Sequence, residues 1–174
     1  MEFRRVLESR RSIRKFNSSD ISDDIILEAI RFATLAPSAH NRQPWKFKIV
    51  SGEEKTKIAA ALVDKTKYIE GHTGVHTAGV INEASKLIVV FIDNQISENR
   101  DMDILSIGGA IENMILAFTD MGIGSLWIGN TNFVKEEISD ILNVNYETVS
   151  SIAIGLPSQS PKSRPRKDIR DVLI

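Results

Sequence analysis

"SRRSIRKF", residues 9–16, places Arg10, Arg11, Arg14 and Lys15 within six positions and sets no acid between them. Cations packed this closely repel one another unless an anion lies among them or water screens them. The chain as a whole is nearly neutral, with a net charge of −1, so the run is not a sample of a generally basic protein. A second basic stretch lies at the other end. Residues 1–15 and 162–170 together hold eleven of the 22 Lys and Arg residues, and only Glu2, Glu8 and Asp168 as acids. Either the two segments meet around one anion, or they are two solvated arms of the kind that bind nucleic acid.

Length and composition narrow the classes. The 174 residues suit one domain, 1–174, large enough to bury a core. With 42% hydrophobic and 26% charged residues, the chain has an ordinary globular mix. No uninterrupted apolar run approaches the roughly 18 residues that a bilayer span needs. The opening MEFRRVLESRR carries charges and no apolar stretch of a secretory signal, so a cytoplasmic location is expected. The absence of cysteine excludes disulfides, thiol nucleophiles, Fe–S clusters and cysteine zinc sites.

Working outward from the basic run, residues 2–9 have helical spacing through Phe3, Val6 and Leu7. Asn17–Asp20 reads as a turn, and Ser22 as the N-cap of a helix with Asp23 and Asp24 in its first turn. Ile25, Ile26, Ala29, Ile30 and Ala33 make its apolar stripe, and Pro37 stops it. Residues 46–50 alternate as a strand. Ser51 and Glu54 have the spacing of a capping box for a helix reaching about Val63. Residues 64–83 suggest a loop and a short helix. "LIVVFI", 87–92, is a continuous apolar run that suits a strand buried on both faces.

A helix follows over 104–118, interrupted by Gly108, Gly109 and Ala110. Each glycine costs a helix about 1 kcal/mol relative to alanine, so another backbone is expected to come close there. Strand 125–128, helix 133–142 and strand 149–154 complete the pattern. The alternation predicts an α/β layered sheet with flanking helices. "GLPSQSPKSRPRK", from residue 155, is Pro- and Ser-rich and is not expected to form a packed element.

Several chemistries are weak on this sequence. His72 and His76 have helical zinc spacing, but they lie in "GHTGVHTAG", a poor helix that reads as loop, and no HExxH is present, so no metal site is expected. His40 has no partner motif, and no G-x-S-x-G elbow supports a hydrolytic triad. Asp101 and Asp103 are explained by a helix N-terminus. "GIGSLWIG" is not the dinucleotide fingerprint and there is no Walker loop. Trp45 and Trp127 are expected in the core. What remains is one constellation: the basic run, the tail, the turn at 124–130 and the loop 36–45. That loop gathers amide and hydroxyl groups suited to a flat polar heterocycle, and the cation cluster suits a phosphate. Together they suggest a phosphorylated aromatic cofactor.

Taken in order, "RRSIRKF" (10–16), "APSAHNRQPW" (36–45), "GSLWIGN" (124–130) and "GLP…SRPR" (155–166) resemble the nitroreductase family of FMN enzymes, over nearly the whole chain. The resemblance implies a homodimer with two FMN sites at its interface. It implies that Arg10, Arg11 and Ser12 hold the phosphate and ribityl chain, and that Arg14 lies toward the pyrimidine end of the ring. Arg164 and Arg166 would complete the phosphate pocket. Pro37, Ser38, Ala39 and Asn41, with Gln43 beside them, would reach in from the other subunit. Gly129 would sit near flavin N5, with Asn130 next to it. Many family members carry an Asn and a Lys ahead of the buried strand. Thr77 and Val80 occupy those positions here, which leaves Arg14 as the main stabiliser of the reduced ring.

The implied activity is hydride transfer from NAD(P)H through the flavin to an electron-poor acceptor such as a nitroaromatic, quinone or enone, by a ping-pong scheme with no catalytic side chain. Two alternatives remain: other flavin chemistry within the family (dehalogenation, flavin fragmentation, dehydrogenation), or a nucleic-acid binder using its basic termini. The latter lacks the aromatic interleaving of single-strand binders. No nucleic-acid or membrane partner is expected.

Overall fold

The computed structural model describes residues 2–69 and 74–174. Four antiparallel strands form one sheet in the order β1-β2-β4-β3, with β1 Trp45–Val50, β2 Lys86–Ile92, β3 Gly124–Ile128 and β4 Glu147–Gly155. Among the described residues six α-helices flank it: α1 Phe3–Ser9, α2 Asp23–Ala33, α3 Gly52–Thr66, α4 Gly74–Glu83, α5 Arg100–Asp120 and α6 Lys135–Leu142. The expected layering is present.

The strand at the centre shows why. Leu87, Val89 and Phe91 enter a core shared with Ile58 and Leu62 of α3, Ile81 of α4 and Ile138 of α6. Ile88, Val90 and Ile92 enter a second core with Ile26 of α2 and Ile107, Met114 and Phe118 of α5. Helices therefore cover both faces, and a strand that is apolar at every position from Leu87 to Ile92 is stable there although its neighbours run antiparallel.

The helices differ from expectation in places. Segment 64–83 is mostly helical: α3 continues to Thr66 and α4 starts at Gly74. His76 is accordingly on an exposed face of α4 rather than in a loop, while His72 lies outside the described residues. Gly74 makes the junction possible. Its N–H donates to Thr66 Oγ1 at 2.6 Å, and a Cβ there would sit 2.6 Å from the Leu62 carbonyl oxygen. Lys55 ties α3 to the end of α4: its buried ammonium donates to the carbonyls of Asn82, Ala84 and Ser85. Burial pushes its pKa down.

Ser22 and Ser51 occupy N-cap positions, but neither side chain makes a cap bond, so the expected capping box is not formed. Gly52, at φ +54°, turns the chain into α3 instead. A side-chain cap is found where none was expected: Asn99 accepts from Met102 N at 3.1 Å and starts α5 earlier than the apolar stripe indicated. α5 is long and apolar enough to cross a membrane by length and composition, yet its buried face packs on the sheet as a core helix. Among the described residues no backbone approaches its glycines: space is open at Gly108, and Gly109 meets only the Ala36 Cβ at 3.7 Å.

Candidate functional site

The basic run is docked along the outer edge of the sheet. Ile13 N donates to Ser125 O at 2.9 Å, and Ser12 bridges Ser125 in parallel beside the edge strand β3. Further along, Phe16 bridges Pro157, Asn17 N donates to Leu156 O, and Ser158 N donates to Lys15 O. Ile13 and Phe16 are buried and anchor the segment, which leaves the arginines free to turn outward. Two glycines make room. A Cβ on Gly124 would lie 2.9 Å from Ile13 Cγ2, and one on Gly155 would lie 2.8 Å from a Phe16 ring carbon. Gly155→Ala is therefore expected to cost about 1–3 kcal/mol, because a ring packed in place has to shift. Thermal denaturation measures this; an unchanged melting temperature would mean that the segment is not held this tightly.

Because Leu156–Ser158 pairs with residues 15–17, the tail is carried back over the basic run. Arg10, Arg11, Ser12 and Arg14 line one side of a cavity of about 210 Å³. Lys162, Arg164 and Arg166, with Pro161 and Ser163, line the other. The two basic segments meet. Six cations face this space with no acid among its lining, and none of the six forms an ion pair among the described residues. Arg11 is the most constrained: Nη1 donates to Glu8 O at 2.6 Å and Arg10 O at 2.8 Å, while its Nε is buried without a partner. An unsatisfied buried donor costs about 1–3 kcal/mol. The fit to a phosphomonoester rests on the six cations that line the cavity without an acid among them.

Loop 36–44 joins α2 to β1. His40, Asn41 and Gln43 have φ of 52°, 55° and 51°, three left-handed residues without a glycine among them. Such conformations cost on the order of 1–3 kcal/mol each and persist only where the surroundings enforce them. Ser38 shapes the turn by accepting Asn41 N through its carbonyl and Gln43 N through its hydroxyl, both at 3.0 Å. Pro44 O accepts from Asp93 N at 2.8 Å. Asn41 and Gln43 are exposed, and Pro37, Ser38 and Ala39 line a separate recess against Met102, Leu105 and Ser106 of α5. A single chain thus does not bring this loop to the cation cavity.

Gly129 and Asn130 follow β3, four residues beyond the Ser12 bridge. Nothing crowds the position a Cβ would take on Gly129. Asn130 Nδ2 donates to Thr77 Oγ1 at 3.1 Å, which ties this turn to α4. Val80, one turn on, is buried in the core and faces no site. Trp45 is buried as expected, but Trp127 is 43% exposed. It lies on β3, which has a strand neighbour on one side only, and its indole N–H donates to Ser150 Oγ at 2.7 Å.

A helix-covered antiparallel sheet with a cationic, phosphate-sized recess at its edge defines the class of this molecule. The chain belongs to the nitroreductase family, whose model matches residues 7–156. An Archaeoglobus fulgidus relative, provisionally named an NADH dehydrogenase/NAD(P)H nitroreductase, is 33% identical over 160 residues, covering 88% of this chain and 84% of its own. Among solved structures, a provisionally named nitroreductase of Desulfovibrio desulfuricans in complex with FMN superposes with a TM-score of 0.84 at 24% identity, covering 100% of this chain and 96% of that one. The NADPH:FMN oxidoreductase of Vibrio harveyi, complexed with NAD+, gives 0.83 at 21%, with 99% and 76% covered. At these identities the two structures speak for the fold.

Proposed function

We propose that the protein is an FMN-dependent oxidoreductase that passes hydride from NAD(P)H to an electron-poor organic acceptor, working as a homodimer with two shared sites. The observation that carries this reading is the cavity lined by six cations and no acid. The names of the family relatives agree with it. The two basic segments fold onto each other instead of standing apart as arms, which favours a bound phosphate over a nucleic-acid tail.

Bound FMN would supply a two-electron carrier able to take up hydride and give it away. The chain's own part is binding and field. Arg10, Arg11, Arg164 and Arg166 would hold the phosphate by charge-assisted hydrogen bonds, and Ser12, which lines the same cavity, would add a hydroxyl. Arg14 would favour negative charge on the pyrimidine side of a bound ring. The open Gly129 backbone lets a planar ring come close, and Ser38, Asn41 and Gln43 offer donors and acceptors from the partner. The recess beside the loop exposes Leu105 and Met102, apolar surface that a second subunit would cover.

The purified protein is expected to be yellow, and heat should release FMN, identified by mass. FAD as the main species would contradict a cavity built for a terminal phosphate. Donor and acceptor use one site in turn, so double-reciprocal plots should give parallel lines. Intersecting lines would require a ternary complex and a second site.

A further inference from the structure

The strained loop has a fastener of its own. Arg42 stands between left-handed Asn41 and Gln43 but keeps an ordinary helical conformation, φ −66° and ψ −27°. Its Nε and Nη2 donate to Asp103 Oδ1 at 3.3 and 3.0 Å, and Nη1 reaches Glu98 Oε2 at 3.2 Å. Asp103 Oδ2 accepts from Ser97 Oγ at 2.8 Å, so the carboxylate cannot rotate freely. The Arg42 side chain is 9% exposed and that of Asp103 0%. Among the described residues no other ion pair has both partners so deeply buried. Asp103 belongs to the first turn of α5, whose Ile107, Ile111 and Met114 are fixed in the core.

A buried ion pair adds little net stability, because desolvation offsets the attraction, and apolar replacements are often as stable. Its value lies in enforcing one arrangement. We infer that Arg42 and Asp103 are positioning residues: they clamp loop 36–44 to α5 and hold Ser38, Asn41 and Gln43 in the single geometry that meets the flavin ring. This inference rests on the oxidoreductase reading above. Neither residue touches the cation cavity, so their effect should fall on the ring end of the ligand and not on its phosphate.

Two variants test it, with the wild type as reference. Arg42→Met combined with Asp103→Leu removes both charges and leaves no buried ion unpaired. Arg42→Lys keeps the charge and loses the planar fork. In each, FMN and riboflavin affinities are expected to fall together by about tenfold, the loss of one or two neutral hydrogen bonds. The visible absorption bands of the bound flavin should lose their wild-type positions, while the melting temperature of the flavin-free double variant stays within a few degrees of the wild type. Unchanged affinity and spectrum in a folded variant would overturn the inference, as would a loss confined to FMN. A double variant that fails to fold would make the pair structural, unless Arg42→Lys shows the equal FMN and riboflavin loss, which would uphold the inference. Wild-type protein that takes up no flavin would sink the oxidoreductase reading and this inference with it, and that outcome is visible before any variant is made.

Discussion

Replacing Arg164 and Arg166 together by alanine is expected to lower FMN affinity by about two orders of magnitude or more. Both guanidinium groups line the cavity opposite Arg10 and Arg11, and neither is tied to another side chain among the described residues. Each would give a phosphate a charge-assisted hydrogen bond worth about 1.5–3 kcal/mol, and every 1.4 kcal/mol is about a factor of ten. Solvent access lowers that value toward the bottom of its range, and the loss should shrink in high salt. Because the two residues are exposed, the melting temperature should hardly move. Riboflavin, with no phosphate, separates binding from folding: its affinity should fall far less. Equal losses for the two ligands, measured by fluorescence quenching, would mean that the tail acts on the fold and not on the phosphate.

The parts of this design that are legible in the sequence are those written in local pattern. "LIVVFI" announces a strand covered on both sides, and Leu87 to Ile92 do alternate between two cores. The basic run and the basic tail can be suspected of meeting because neither finds acids nearby in the chain. What brings them together is less legible: Gly124 and Gly155 matter only because Ile13 and Phe16 lie against them, and those contacts span more than a hundred residues. Asp103 looks like any first-turn acid until Arg42, 61 positions away, is seen against it. Trp127 departs from its expected burial for the opposite reason. Its size suggests burial, but its fate depends on β3 being an edge strand, which is a property of the sheet and not of the residue. The left-handed backbone at His40, Asn41 and Gln43 has cues in Asn41 and His40, residue types enriched in that region, but none at Gln43.

The largest qualitative effect is expected from mixing two defective chains. Arg10 and Arg11 line the cation cavity, while Asn41 lies on the exposed loop that does not reach the same chain's cavity. If each site takes its arginines from one subunit and its loop from the other, the two lesions segregate. A first variant carries Arg10→Ala and Arg11→Ala. A second carries Asn41→Leu, which removes the amide, crowds the ring and adds strain, because leucine is disfavoured at φ 55°. Each homodimer should lose most of its flavin. In the heterodimer one site receives both lesions and the other receives neither, so differently tagged, co-expressed chains should yield half the flavin and half the activity of the wild type. If all these contacts came from one chain, both sites of the heterodimer would be damaged and nothing would recover. Circular dichroism and gel filtration first establish that both variants are folded dimers. A colourless, inactive heterodimer from such chains would then rule out the shared site, and the exposed loop at Pro37–Gln43 would need another purpose.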